Sequence, residues 1–279
     1  MAATLTIGRA TRDVGNEERR WQQLLAKLNH RGNFENRPMI DLNITNSKAG
    51  LLWAFWDRKV DIFIGKPFLA ASLIREANAV PPFVVEESKP ANQRSVIVVR
   101  EDDEAEGIAG LTGHRLAFAR HGSDLAHLLP HSTLLSHGMT VIEIAEGDAF
   151  LPDSITALHI HDDLSPLMWL YRSAAGPRAA AVSMRDFQKI ERRRPELFRP
   201  VLTSPSIPMT IAVAAADLDP AGCMALADQL TSEPTELFRA LGYGPEEGVR
   251  LRLVTPDDAA IADLVQRLDA IEASAKNEG

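Results

Sequence analysis

Apolar positions along the first part of the chain alternate between strand-like and helix-like spacing. Short apolar runs predict strands at residues 5–8, 40–44 and 60–65. Helical spacing predicts helices at residues 16–30, 47–58 and 67–77. This βαβαβα order predicts a parallel sheet with right-handed crossovers, and such a sheet places ligand sites at the carboxyl ends of its strands.

Two of these helices carry a stripe of apolar side chains that is expected to face a core. In the first, the stripe has the spacing of an amphipathic helix and consists of Trp21, Leu24, Leu25 and Leu28. In the second, which Ser47 is predicted to cap, it consists of Ala49, Leu52, Trp53 and Trp56. We therefore predict that Trp53 and Trp56 are core residues and not a platform on which a ligand stacks.

The middle of the chain continues the alternation. It predicts strands at residues 115–119, 141–144, 157–161 and 179–182, with helices between them. The prolines of segment 201–213 exclude a helix and favour an extended chain, after which helices are predicted at residues 220–231 and 257–273. The prediction is an α/β protein with a first lobe of residues 1–99 and 204–279 and a second lobe of residues 100–203.

Length and composition agree with two domains and exclude several classes of protein. A chain of 279 residues is longer than one hydrophobic core usually spans, and its 45% apolar and 24% charged residues argue against disorder. The net charge of −8 argues against binding to nucleic acid or to an anionic membrane surface. The expected ligand is a small molecule, and the protein is expected to be a monomer.

The lone cysteine and the first residues bear on the cellular compartment. Cys223 has no partner for an internal disulfide and lies in a helical pattern, so we interpret it as a small buried residue and not as a reactive thiol. Residues 1–8 have neither the basic nor the apolar region of a signal peptide, and no stretch of the sequence has the length of a membrane span. The protein is therefore expected to be cytoplasmic, or periplasmic if a signal peptide has been removed.

One stretch has a characteristic order of elements. The run Arg94-Ser-Val-Ile-Val-Val-Arg predicts a strand, the acidic residues after it predict a short helix, and residues 107–123 predict a turn, a strand and a loop that brings Ser123 to a helix start. This stretch resembles the phosphate, phosphite and phosphonate family of ABC-importer solute-binding proteins, which have the type II periplasmic-binding fold. Pieces in matching order extend the resemblance over nearly the whole chain, among them Lys59-Val-Asp-Ile, Gly110-Leu-Thr-Gly-His-Arg-Leu-Ala-Phe, Ser204-Pro-Ser-Ile-Pro and Leu237-Phe-Arg-Ala-Leu-Gly.

The resemblance implies a fold and a mode of action. The fold has two lobes, each a mainly parallel sheet flanked by helices, joined by two crossings. The lobes are expected to close on a ligand and to present the closed form to an ABC permease. We therefore predict a non-catalytic solute-binding protein without a cofactor. A cytoplasmic enzyme or a sensory module on the same fold is the alternative, although the sequence contains neither a nucleophile elbow nor a P-loop.

The ligand-binding residues of this family carry over only in part. The family grips the anionic group of its ligand with a Ser-Thr-Ser run at a helix N-terminus, where this chain has Ser123-Asp124-Leu125. The family's aromatic residue on the second helix corresponds to Lys48, and its histidine corresponds to Pro166. We therefore predict weak binding of simple alkylphosphonates and a preference for another small solute, one with an amine or hydroxyl group that donates to Asp124.

Each candidate ligand contact has a second interpretation. Ser123 binds a ligand oxygen, or it only caps its helix. Asp124 selects a cationic or hydroxylated ligand, or it only complements the helix dipole. Lys48 and Lys66 form an anion clamp with Arg120, or they are solvated surface side chains. The ligand-binding residues predicted to border one interlobe cleft are Ser123, Asp124, Lys48, Lys66, Arg120, His121 and Ser165.

Histidines occur close together at two places, but we predict no metal site from them. His159 and His161 point to the same face of a predicted strand, and His121 and His127 lie near a predicted helix start. A tight metal site needs three or four converging ligands. No third partner is evident in the sequence, so neither a metal ligand nor a catalytic residue is predicted.

Overall fold

The computed structural model of the chain describes residues 4–35, 38–87, 93–144, 151–160, 165–172, 177–243, 249–255 and 257–277. The chain divides into two compact units. Unit 1 consists of Met1–Lys89 and Pro208–Val265, and unit 2 consists of Pro90–Ile207 and Gln266–Gly279. The chain therefore leaves unit 1 and later returns to it.

Strands and helices alternate along most of this described part. The strands are β1 (Thr4–Ala10), β2 (Met39–Thr45), β3 (Ile62–Gly65), β4 (Val80–Glu87), β5 (Ser95–Arg100), β6 (Arg115–Phe118), β7 (Val141–Glu143), β8 (Ile155–His159), β9 (Ala179–Ser183), β10 (Phe198–Thr203), β11 (Thr210–Ala214) and β12 (Val249–Leu253). The helices are α1 (Val14–Glu35), α2 (Lys48–Trp56), α3 (Pro67–Ala77), α4 (Leu129–Ser136), α5 (Ser165–Arg172), α6 (Met184–Arg193), α7 (Pro220–Ser232), α8 (Pro234–Leu241) and α9 (Ala259–Asn277).

The sheet of unit 1 has the strand order β12-β4-β11-β3-β1-β2. β1 pairs in parallel with β2 and β3, as the βαβ order predicts, whereas β4, β11 and β12 pair antiparallel to their neighbours. The predicted stripe of α1 packs into the core of this unit, where Trp21, Leu24 and Leu28 are buried. Burying side chains of this size stabilises the helix by about 1.5–3 kcal/mol each.

The sheet of unit 2 has the order β10-β5-β9-β6-β8-β7. The strands β6, β7, β8 and β9 run parallel, and β5 and β10 run antiparallel to their neighbours. The side chains of β5 contribute to two cores, one containing Ile97 and Val99 and the other containing Val96 and Val98. Successive side chains of a strand point to opposite faces, so the sheet is covered on both sides.

The prediction of a short acidic helix after β5 is wrong. Residues 101–102 and 107–108 form turns, residues 103–106 have no regular structure, and the single 3-10 turn Ala109–Leu111 follows. The carboxylate of Asp103 accepts a hydrogen bond from the backbone N–H of Ala105 at 2.9 Å. A short acidic side chain that binds the backbone two residues later favours a turn over a helix.

The prediction that Trp53 and Trp56 are core residues is also wrong. Their exposed fractions are 63% and 50%, and their rings contact each other edge to face at a centroid distance of 5.3 Å. The buried residues of α2 are instead Leu51, Leu52, Ala54 and Phe55. Almost every residue of this helix is apolar, so periodicity alone did not define which face packs inward.

Replacement of Asp103 by asparagine is expected to lower the free energy of unfolding by about 1–3 kcal/mol at pH 7. The buried carboxylate accepts hydrogen bonds from Ala105 N–H and from Arg178 Nε at 3.0 Å, and lies 3.3 Å from His114 Nε2. Burial acts to raise the pKa of Asp103, but these partners hold it below its ordinary value. Because the folded-state pKa is depressed, the stabilisation is present above about pH 4, the unfolded value, and is lost as the pH falls through the folded pKa.

Urea unfolding of the wild type and of Asp103→Asn across this pH range measures the effect. Asp102→Asn is the matched control, since Asp102 is the neighbouring carboxylate but is exposed and pairs with Arg100. That control is expected to change stability by at most about 0.5 kcal/mol. A difference between Asp103→Asn and wild type that persists undiminished at pH 3 would contradict the explanation.

Candidate functional site

The carboxyl ends of three neighbouring parallel strands in unit 2 meet at one edge of its sheet. β6 and β8 pair so that Phe118 lies opposite His159, and β7 and β8 pair so that Glu143 lies opposite Ala157. The strands thereby bring the loop after Phe118 together with Glu143 and His159. Such an edge is where open α/β sheets place ligands. We refer to it as the carboxyl edge of unit 2.

The loop after β6 is tied to the helix that follows it. Asp124–Leu128 form a π-helical turn that continues into α4. Pro130 has no N–H group, so the carbonyl of Ala126 lacks its usual donor four residues later. This carbonyl accepts a hydrogen bond from Ala119 N–H at 3.0 Å. The positive φ of Gly122, 75°, lets the loop turn back toward the helix.

Ser123 and Asp124 lie where this turn begins. Ser123 is buried, and its carbonyl oxygen accepts a hydrogen bond from His127 N–H at 3.1 Å. Its hydroxyl makes no capping hydrogen bond to the helix. Asp124 is half-buried in the first turn, and Arg120 and His121 are exposed in the same loop.

A carboxylate with four imidazoles around it occupies the same edge. Glu143 Oε1 lies 3.0 Å from His127 Nε2 and 3.3 Å from His131 Nδ1. Glu143 Oε2 lies 3.0 Å from His159 Nε2 and 3.7 Å from His121 Nε2. We refer to these five residues as the His–Glu cluster.

The His–Glu cluster rests on the core of unit 2. Phe118 has no exposed surface, and its ring centroid lies 5.2 Å, 5.7 Å and 5.8 Å from those of His127, His131 and His159 respectively. His127 and His131 are buried and lie one helical turn apart, whereas His121 is exposed. The cluster thus has a buried side formed by the helix and an open side formed by His121.

The surroundings of this cluster set its protonation. Burial acts to raise the pKa of Glu143, but the imidazoles of His127, His131 and His159 hold it well below the usual range, so the carboxylate is anionic at neutral pH. Burial lowers the pKa of His127 to about 4, against the opposing effect of Glu143. A neutral His127 donates one proton and accepts one hydrogen bond.

The expectation that no third partner joins the sequence-neighbouring histidines is wrong. Glu143 and His159 converge with His121 and His127, with one ligand atom of each within 4.8 Å of the others. The sequence contained a usable signal, because Glu143 lies near the carboxyl end of the strand predicted at residues 141–144, and that end belongs to the same sheet edge. His161, the other predicted member of a pair, lies outside the described residues.

The remaining predicted contacts lie at other places in the two units. Lys48 and Lys66 belong to unit 1. Lys48 Nζ donates a hydrogen bond to Glu76 Oε1 at 2.8 Å, so its charge has a carboxylate partner, and Lys66 is exposed at the start of α3. Ser165 is the first residue of α5 in unit 2. The loop of residues 119–124 holds the other four predicted contacts.

The two units together define a class of protein. In each, parallel strands from βαβ units are joined by antiparallel strands in a mixed sheet flanked by helices, and the chain passes from unit 1 to unit 2 and back. This is the architecture of the type II periplasmic-binding fold, as predicted. Within the described ranges, no helix has the length and apolar character needed to cross a bilayer.

Comparison with known families makes the assignment specific. Residues 10–247 match the family of periplasmic substrate-binding proteins of phosphonate ABC transporters. The match spans most of the chain, and the chain belongs to this family, which confirms the predicted resemblance. Members of the family bind small-molecule substrates and work with ABC permeases; they are binding proteins and not enzymes. A search of curated proteins finds no match.

Solved structures share the fold at low sequence identity. XAC2383 from Xanthomonas citri, bound to ATP, has a TM-score of 0.76 at 17% identity, covering 98% of this chain and 99% of that chain. A binding protein component of an ABC phosphonate transporter from Pseudomonas aeruginosa has a TM-score of 0.58 at 13% identity over 100% of both chains. PhnD1 from Prochlorococcus marinus, in complex with methylphosphonate, has a TM-score of 0.61 at 11% identity over 96% and 98%. These similarities establish the fold alone.

Proposed function

We propose that this protein is the solute-binding component of an ABC importer whose ligand site is phosphonate-binding-like but altered. The proposed contacts are the loop residues Arg120, His121, Ser123 and Asp124, with Ser165 from the same unit. Lys48 and Lys66 of unit 1 remain predicted contacts. In this proposal the protein acts as a monomer in the periplasm, and ligand binding shifts it toward a closed form that the permease recognises.

The proposal of an altered ligand specificity rests on two carboxylates at the carboxyl edge of unit 2. Asp124 is in the first turn of the helix, at the position where the resemblance to the family implies a hydroxyl. Glu143 ends β7 at the same edge and is held in its anionic form. A phosphonate dianion at the start of this helix would meet negative charge where the family provides only donors. An amine or hydroxyl group of a solute would instead donate to Asp124.

Replacement of Asp124 by threonine is expected to increase the affinity for methylphosphonate about tenfold to hundredfold. Like charges 4 Å apart repel by about 4 kcal/mol at an effective dielectric of about 20, and partial exposure of Asp124 reduces this to about 1.5–3 kcal/mol. Calorimetry in the presence of EDTA, with methylphosphonate, 2-aminoethylphosphonate, phosphate and phosphite, compares the two proteins. Submicromolar binding of methylphosphonate or phosphate by the wild type would contradict the proposed specificity.

Two further variants separate the local charge from other effects. Asp124→Asn keeps the shape of the side chain and removes its charge, so it is expected to gain affinity in the same direction. Asp228→Thr makes the same change in net charge at an exposed position of α7 in unit 1, and it is expected to leave anion affinity unchanged. An equal gain in Asp228→Thr would assign the effect to net charge and would overturn the role of Asp124.

A further inference from the structure

We propose that the His–Glu cluster is a binding site for a divalent transition-metal ion of the zinc class. Its ligands are Glu143, His121 and His159, and His127 is a positioning residue that orients the Glu143 carboxylate. The proposal depends only on described residues of unit 2. It shares His121 and Glu143 with the solute site proposed above, and the anion titrations in EDTA test that site without the metal ion.

The first argument comes from His159, because the hydrogen bond of its Nδ1 determines which ring nitrogen carries the proton. Its Nδ1 lies 3.0 Å from the carbonyl oxygen of Ala119, which can only accept, so Nδ1 carries the proton. In a neutral ring, Nε2 then presents a lone pair, and it lies 3.0 Å from Glu143 Oε2 without hydrogen-bond geometry. A cation between two acceptors in this arrangement relieves their repulsion, and that cation is a proton on Nε2 or a metal ion. A backbone carbonyl on Nδ1 is also the usual partner of a histidine that binds metal through Nε2.

His121 supplies a second nitrogen from the open side. Its ring stacks on that of His159 with a centroid distance of 3.4 Å and an interplanar angle of 21°. Binding of one tetrahedral ion by both rings places their centroids about 5 Å apart, so the exposed ring of His121 has to turn out of this stack when the ion binds. The two histidine-to-Glu143 distances, 3.0 Å and 3.7 Å, bracket the separation of about 3.4 Å between ligand atoms of a tetrahedral site with metal–ligand bonds of about 2.1 Å.

His127 is excluded as a direct ligand by its hydrogen bonds. Gly122 N–H donates to His127 Nδ1 at 3.1 Å, so that nitrogen carries no proton. The proton of the neutral ring is therefore on Nε2, which donates to Glu143 Oε1 at 3.0 Å. A metal ion cannot replace that proton without also breaking the bond from Gly122. His127 thus holds one carboxylate oxygen and leaves the other, Oε2, directed at His159 and His121.

The donor set selects the kind of ion. Calcium and magnesium prefer oxygen ligands, whereas two imidazole nitrogens and one carboxylate suit zinc and related ions and leave one coordination position open. His131 is not a ligand in this proposal, and its ring, which is 3% exposed, packs beside the proposed ligands. Its Nδ1 lies 3.3 Å from Glu143 Oε1.

Calorimetric titration of the untagged, EDTA-treated protein with zinc chloride tests the proposal. We expect one ion per chain with micromolar or tighter affinity, and cobalt substitution is expected to give the visible absorption bands of a four-coordinate site. His159→Ala and Glu143→Gln should weaken zinc binding at least about a hundredfold. His127→Phe should weaken it about tenfold to hundredfold and alter the cobalt spectrum with the stoichiometry kept, as expected for a residue that orients a ligand.

His121→Ala is the most informative variant, because His121 is exposed and its loss leaves the core of unit 2 intact. It should weaken zinc binding at least about tenfold. His137→Ala is its matched control, since His137 is an exposed histidine at the end of α4 outside the cluster, and it should bind as the wild type does. Absence of zinc binding by folded wild-type protein, or equal losses in His121→Ala and His137→Ala, would overturn the proposal. Either result would leave the anion titrations in EDTA unaffected.

Discussion

Replacement of Glu17 by glutamine is expected to lower the free energy of unfolding by about 3–5 kcal/mol. Glu17 lies on α1 and is 2% exposed. Its carboxylate accepts hydrogen bonds from Arg9 Nε at 2.6 Å and from Trp21 Nε1 at 3.1 Å, and it also pairs with Arg20. Glutamine keeps the shape of the side chain and one acceptor oxygen, but it leaves the charge of Arg9 without its partner.

The size of this effect follows from the position of Arg9 in unit 1. Burial lowers the pKa of Arg9, and the carboxylate of Glu17 opposes that shift. Arg9 also donates to the carbonyl oxygen of Ile64, and its guanidinium lies 5.3 Å from the ring centroid of Trp21. A guanidinium keeps its proton at neutral pH, so the buried charge persists when its counter-charge is removed.

Urea unfolding followed by tryptophan fluorescence measures the change, since Trp21 is buried beside the substituted residue. Glu18→Gln is the matched control, because Glu18 is the next carboxylate along α1 and is exposed. It is expected to change stability by at most about 0.5 kcal/mol. Equal losses in the two variants would show that the buried ion pair is not the cause.

Replacement of Phe118 by alanine is expected to lower the free energy of unfolding by about 3–5 kcal/mol. Phe118 is fully buried at the end of β6 and belongs to the core that contains Val99 and Leu116. Its ring also contacts those of His127, His131 and His159. Truncation removes apolar surface from this core and leaves a cavity that a close-packed interior refills only in part.

Chemical unfolding monitored by circular dichroism measures this loss in unit 2. Phe118→Leu keeps most of the buried volume and is expected to cost less than about 1.5 kcal/mol. A loss below about 1 kcal/mol for Phe118→Ala would mean that this ring is not packed as described. A larger loss of unfolding free energy in Phe118→Ala than in Phe118→Leu therefore distinguishes cavity formation from a general intolerance of substitution at this position.

Much of the fold was predictable because hydrophobic spacing and helix ends are local properties. The predicted helix over residues 67–77 has those bounds in the structure, with a proline in its first turn and Asn78 in the left-handed conformation after its end. β4 and β12 were not predicted. β4 contains Pro81 and Pro82, which argue against a strand, and β12 alternates charged and apolar residues. Both segments are strands because they pair with neighbouring strands in the sheet of unit 1. Arg250 of β12, for example, lies opposite Glu86 of β4 and forms an ion pair with it.

The candidate site was predictable only in pieces. The loop of residues 119–124 and the acid at Asp124 followed from the order of elements and from the family's pattern. The histidines at 121, 127 and 159 were each visible, but Glu143 and His131 were not connected to them. Glu143 is joined to the histidines by strand pairing, and His131 is joined to them by the direction in which α4 packs on Phe118. Strand pairing and helix packing both join residues that are distant in sequence, so neither contact could be predicted from a short stretch of chain.

The sequence by itself determined the α/β class, most of the order of the elements and the family, because periodicity, turn residues and motif order are encoded in short stretches of chain. Only the tertiary structure decided that Trp53 and Trp56 are exposed, that Asp103 pairs with Arg178, and that Glu143 lies among four histidines. The physical reason is the same in each case. Which face of an element packs, and which carboxylate meets which partner, depends on side chains that are distant in sequence and adjacent only in the folded chain.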